Sequence, residues 1–242
     1  MRPIANTIAA EFCQTACDIS PPDLFDMIVE YLFYMLASHA HGSDEVWEQL
    51  GIPPVSVKEM LEKSGITYEE FKQLTFAIAG ALKYGFDDVL SDIANCIDVL
   101  HHKPDGGFLA KHLIELEYPG DAIAAAIKEK GCFVYSDDVQ GAGALPMGLA
   151  EAFVNDDIDY HRRLFVQTKQ VDIRLFRMCY VQLHAREIPA FVALVDDQNR
   201  TEQAGFYTST YFTQFEPFQS KLEKRRRNRA KPRRNRTLRG HI

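Results

Sequence analysis

The last 22 residues cannot contribute to a hydrophobic core, so folding is confined to the chain before them. Residues 221–242 carry Lys221, Lys224, Arg225, Arg226, Arg227, Arg229, Lys231, Arg233, Arg234, Arg236 and Arg239 against the single acid Glu223, a net charge of +10. Leu222, Leu238 and Ile242 are the only large apolar side chains in that run. With so little to bury, a segment cannot offset its ordering entropy, and residues 219–242 are expected to lack fixed structure when free. Residues 1–220 are left with 16 basic and 33 acidic groups, a net of −17. A basic tail follows an acidic body.

The cations of the tail are eight Arg and three Lys. A guanidinium grips phosphate oxygens bidentately and stacks on bases, whereas a purely solubilising run has no need of that geometry. Clusters such as Arg225-Arg226-Arg227 and Arg233-Arg234 are the form of Arg-rich segments that fold onto RNA grooves or track a DNA backbone. Nucleic acid is the expected ligand, and all eleven cations are the expected binding residues. Three other readings compete: a solvated tail without a ligand, a transport address read by a receptor, and a clamp on the acidic body. The body repels phosphate, so contact should stay on the tail unless the fold builds a local basic surface.

At 46% hydrophobic and 25% charged residues, the chain as a whole has an ordinary globular composition. No apolar run reaches the roughly 18 residues of a membrane span. The best stretch, Leu24–Ala40, is broken by Asp26 and Glu30. No secretory signal is read at the N-terminus, where Glu11 interrupts the apolar residues. The expected location is cytoplasmic, or nuclear in a eukaryotic or viral source. Five cysteines without dense spacing read as free thiols.

Apolar residues recurring every three or four positions predict a run of helices over residues 1–130. One covers the N-terminal stretch and ends before Pro21, and a second is capped by Ser20 and runs to the His39–Gly42 turn. Helices follow over Asp44–Leu50, Val55–Lys63, Tyr68–Lys83, Phe86–Leu100, Gly107–Glu117 and Asp121–Lys130. Thr67 and Glu70 have the spacing of a capping box. Beyond Gly131 the texture changes to a short strand at Cys132–Tyr135, a Gly-rich loop, and a helix over Met147–Val154. Asp159–Glu187 reads as either helix or strand. Phe191–Val195 and Phe206–Phe212 read as two strands, a hairpin with a long loop.

The run Val46–Leu61, with Gly51 as the turn glycine, resembles the helix-turn-helix of DNA-binding regulators. Trp47 replaces the small residue of that pattern, and the second helix lacks Arg, Asn or Gln to read base edges. It is therefore read as a structural hairpin. Cys13 and Cys17, His39 and His41, and Cys96 with His101-His102 have no second half at zinc spacing. No metal or cofactor is expected from them. Asp156, Asp157 and Asp159 ahead of Gln167-Thr168-Lys169 resemble the acid, then Gln-or-Glu-x-Lys, arrangement of restriction-like nucleases. In that arrangement carboxylates hold Mg²⁺ and the Lys steadies phosphate. No P-loop, G-x-G-x-x-G, G-x-S-x-G or H-E-x-x-H is present.

The fold expected is mainly α: a multi-helix region over 1–130, a smaller α+β region over 131–218 that shares or abuts its core, and a disordered basic tail over 219–242. The function expected is that of a non-enzymatic nucleic-acid-binding accessory protein, such as a regulator or a packaging or replication adaptor, whose acidic body meets protein partners. The alternatives are a metal-dependent nuclease using Asp157–Lys169 and a transported effector whose Arg-rich tail is a targeting signal.

Overall fold

A computed structural model of the chain describes residues 2–15, 17–51, 56–97, 120–138 and 141–230. It is mainly α with one four-stranded sheet. The helical half comprises α1 (Arg2–Gln14), α2 (Pro21–His41), α3 (Ser43–Leu50), α4 (Val57–Ser64), α5 (Tyr68–Leu82), α6 (Val89–Cys96) and α7 (Gly120–Lys130). Then come β1 (Phe133–Asp138), α8 (Ala144–Asn155), α9 (Tyr160–Arg163), β2 (Leu164–Gln170), α10 (Ile173–Ala185), β3 (Ala190–Val195), β4 (Glu202–Tyr207), α11 (Ser209–Thr213) and α12 (Glu216–Ala230). The helix expected at Gly107–Glu117 lies outside the described residues. Among those residues no helix is long and apolar enough to cross a membrane.

Helix α2 is the central rod. Ser20 caps it, Pro21 and Pro22 occupy its first turn, where a missing N–H costs nothing, and Leu24, Phe25, Ile28, Val29, Leu32, Phe33 and Ala37 are buried along it. Helix α10 packs against α2 and buries Phe176, Cys179, Tyr180 and Leu183. The Phe33 ring lies 5.3 Å from Phe176, 5.2 Å from Tyr180 and 5.7 Å from Phe206, which joins α2, α10 and β4 at one point. Arg174 pairs with Asp26 at 2.7 Å and Arg177 with Glu30 at 3.0 Å along the edge of this contact. Burial raises the Asp26 pKa and the charge of Arg174 opposes the rise. One hydrophobic cluster runs from Ala5 on α1 to Phe206 on β4.

The sheet order is β1-β2-β3-β4, with β1, β2 and β3 parallel and β4 antiparallel to β3. Val166 and Thr168 of β2 face the helices, while Gln167 and Lys169 on the alternate positions are exposed. Gln182 on α10 ties the helical half to the sheet. Its amide donates to Asp88 Oδ1 and to the Ala142 carbonyl, both at 2.8 Å, and its carbonyl accepts from the Leu90 amide at 3.2 Å.

Two expectations are refined by these elements. The ambiguous stretch Asp159–Glu187 is both strand and helix, divided at Asp172, whose Oδ1 accepts from Arg174 N at 2.7 Å and Leu175 N at 3.1 Å and so starts α10. The strand expected over Phe206–Phe212 stops at Tyr207. There the Thr208 amide still donates to the Ala190 carbonyl, but Ala190 N turns to Thr208 Oγ1, which donates in turn to the Ile188 carbonyl, so a side chain takes one half of the next ladder pair. The chain then turns into α11. Strands β3 and β4 do pair as an antiparallel hairpin, but β4 begins at Glu202, inside the stretch expected to be its loop.

Thr67 and Glu70 form the capping box read from their spacing, with Thr67 N donating to Glu70 Oε2 at 2.8 Å and Glu70 N to Thr67 Oγ1 at 3.3 Å. Ser56 and Glu59 form a second one at the start of α4. Thr67→Ala is expected to cost about 1 kcal/mol, since it leaves a helix N–H without its acceptor. Urea melts of the two proteins measure this, and an unchanged midpoint would remove the cap from the account.

Candidate nucleic-acid interface

The outer face of the sheet is aromatic. Phe165 on β2, Phe191 on β3 and Tyr207 on β4 point away from the main core, and α11 and α12 lie across them. Tyr211 is at the centre: its ring is 4.4 Å from Tyr207, 5.0 Å from Phe165, 5.6 Å from Phe215 and 4.9 Å from Phe218. Cys132, Phe165 and Phe215 are buried beneath this layer. Such ring pairs each add about 0.5–1.5 kcal/mol beyond area burial. They root α12 on the body.

Beyond Phe218, α12 continues as a helix to Ala230 and Leu222 is its one large apolar side chain. Lys221, Lys224, Arg225 and Arg226 are exposed on it, and Arg227 and Arg229 lie on the same helix. Lys231, Arg233, Arg234, Arg236 and Arg239 lie outside the described residues. Residues 219–230, expected to have no fixed structure, are therefore helical. The costly step in helix formation is the first turn, and the rings of Phe215 and Phe218 hold that turn on the sheet. Extension through Lys and Arg, both good helix formers, is then cheap, and cations near a helix C-terminus are favoured by its dipole.

Arg163 holds the base of α12 to the body. Its Nη1 donates to the Gly131 carbonyl at 2.8 Å, and its Nη2 is 2.6 Å from Glu216 Oε2. Neither Arg163 nor the aromatic layer was singled out from the sequence. The signal was the recurrence of aromatic residues at Tyr207, Tyr211, Phe215 and Phe218, although they are spread over the end of β4, α11, the link after it and α12.

Of the other constellations read from the sequence, that of Cys96 with His101-His102 has its histidines outside the described residues. Asp156, Asp157 and Asp159 precede β2, where Asp156 ends α8 and Asp159 caps α9. Lys169 lies five residues beyond Leu164 on β2, roughly 16 Å along the strand. The acids therefore lie ahead of the N-terminal end of β2, and Lys169 lies near its C-terminal end. Among the described residues no group of three or more His, Cys, Asp or Glu is arranged to hold a metal ion. In the run that resembles a helix-turn-helix, Gln49 of α3 accepts a bond from Gly205 N on β4 at 3.0 Å, and Met60 of α4 is buried in the core. Both helices are part of the scaffold.

A Ser–His contact sits where β4 turns into α11. Tyr180 Oη donates to the Tyr207 carbonyl at 3.1 Å and His41 Nε2 lies 2.8 Å from the same oxygen. His184 Nδ1 lies 3.3 Å from Tyr180 Oη, and its Nε2 lies 3.3 Å from Ser209 Oγ. Because the phenol proton is given to Tyr207, the neutral imidazole donates from Nδ1 and accepts the Ser209 hydroxyl at Nε2. Burial lowers the His184 pKa to about 4, with the charges of His39 and His41 adding to the effect. An imidazole of such low basicity, turned to a phenol instead of a carboxylate, activates a serine poorly. It acts as a fastening.

This fastening has a pH signature. A group whose folded pKa is depressed contributes stability that is lost as the unfolded chain takes up protons. For His184 that loss begins near pH 6.5 and continues through about pH 4. Its limit is roughly 3 kcal/mol. Urea unfolding between pH 7 and pH 4 should show stability falling, with a shallower fall in His184→Gln. Parallel curves would show that His184 does not titrate in this way.

Compared with known proteins, the chain matches no family model, no curated protein and no solved structure.

Proposed function

We propose that this chain is a non-enzymatic nucleic-acid-binding accessory protein, a regulator or a packaging or replication adaptor, that engages its ligand through α12 and the cations that follow it. The observation that carries this reading is the character of α12 after Phe218: helical, cationic and without an apolar face, with Lys221, Lys224, Arg225 and Arg226 exposed. A helix that docks into a protein groove or lies in a bilayer interface needs an apolar stripe. A helix that lies along phosphates needs charge and little else. Five more cations, Lys231, Arg233, Arg234, Arg236 and Arg239, extend the run.

The net charge of −17 over residues 1–220 supports the same reading from the other side. An acidic body repels nucleic acid over most of its surface and so concentrates contact at the basic end, leaving the remainder for protein partners.

Deletion of residues 221–242 starts after the last ring of the aromatic layer and should leave the body folded. Fluorescence anisotropy with duplex DNA and single-stranded RNA should show binding by the full chain, with affinity falling steeply as salt rises, and little binding by the truncated one. Equal affinity of the two forms would overturn the proposal.

A further inference from the structure

The geometry points to a phosphate-binding corner on the folded body, in which Lys130 at the end of α7 and Lys221 on α12 form one cationic surface with Lys224 and Arg225. This rests on the nucleic-acid reading above and extends it from the tail to the body.

Arg163 ties together the two segments that carry these lysines. Through Gly131 it holds the residue after Lys130, and through Glu216 it holds the start of the helix that carries Lys221. Cys132 lies under this corner, packed on Phe165 and Phe215, and its thiol lies within electrostatic reach of Arg163, Lys130 and Lys221. The Arg163 guanidinium is engaged by Gly131 and Glu216, so it positions the surface and is not counted among the phosphate ligands. Lys130 and Lys221 are both exposed.

Helical spacing continues the surface along α12. Lys224 and Arg225 are three and four residues beyond Lys221 and share its side of the helix. Glu223, two residues on, falls on the far side at about 100° per residue. Of the nearby carboxylates, Glu216 is paired with Arg163 and Glu129 adjoins Lys130 in sequence. The corner is therefore a local exception to the acidic body, placed at the root of the basic helix. A backbone lying along α12 would meet Lys130 as it reached the body.

The test uses the full chain with Lys130→Gln, Lys130→Arg, and Lys83→Gln as a remote control of the same charge change. Duplex DNA of about 20 base pairs is titrated by anisotropy at several salt concentrations, beside vesicles of phosphatidylcholine with phosphatidylserine. Each lost phosphate contact lowers the salt slope by about 0.9, which is about fivefold in affinity at 0.15 M salt. Lys130→Gln should show that loss, while Lys130→Arg and Lys83→Gln should bind like the unaltered chain. If the unaltered chain binds DNA and Lys130→Gln binds equally well with the same slope, the corner is refuted and the tail alone carries binding. If the unaltered chain binds only vesicles, or neither probe, the nucleic-acid reading itself fails.

Discussion

The stack of Tyr207, Tyr211 and Phe215 over Phe165 is the interaction on which the C-terminal end of this molecule depends. A small, largely parallel sheet must bury both of its faces. Here one face is covered by α8 and α10, and the other by a short C-terminal layer whose contribution is almost entirely aromatic. By ordering the first turns of α12, that layer turns a polycationic segment, which has no apolar reason to fold, into a helix with a fixed starting point. The His41, Tyr180 and His184 contacts at Tyr207 and Ser209 fix where the strand ends and the layer begins.

Electrostatics is arranged around the same point. Some acids of the body are engaged locally: Asp26 and Glu30 are paired across α2 and α10, and Glu59 and Glu70 close capping boxes that lower their pKa values. At the end of α7 the sign reverses. Arg163 spends its charge on structure, while Lys130 and Lys221 remain exposed beside it. Repulsion from the rest of the surface and attraction at this corner would orient an approaching polyanion along α12.

Much of the helical half was legible because its signals are local. Thr67 and Glu70 declare a helix start within four residues, and Ser20 with Pro21 and Pro22 does the same for α2. The α/β half was harder. Leu164–Gln170 alternates with period two and Phe176–Leu183 follows a helical period, but they abut, and only the capping role of Asp172 divides them. Tyr207–Phe212 has the composition of a strand, yet Thr208 ends the ladder with bonds to Ile188 and Ala190 that are about 20 residues away in sequence. The cationic residues of the candidate site could be read from composition. Their helical presentation could not, because it comes from tertiary anchoring at Phe215 and Phe218, and the corner at Lys130 depends on a bond from Arg163 across the fold.

Amide hydrogen exchange, followed peptide by peptide on the full chain alone and with a single-stranded RNA of about 20 nucleotides, tests the central claim most directly. Peptides over residues 209–219 should be protected in both states because the aromatic layer holds them. Those over 221–230 and 128–132 should slow on adding RNA, while peptides on α2 and α5 should not change. Protection confined to the acidic helical surface, or no change over 221–230 with RNA at saturation, would contradict the account.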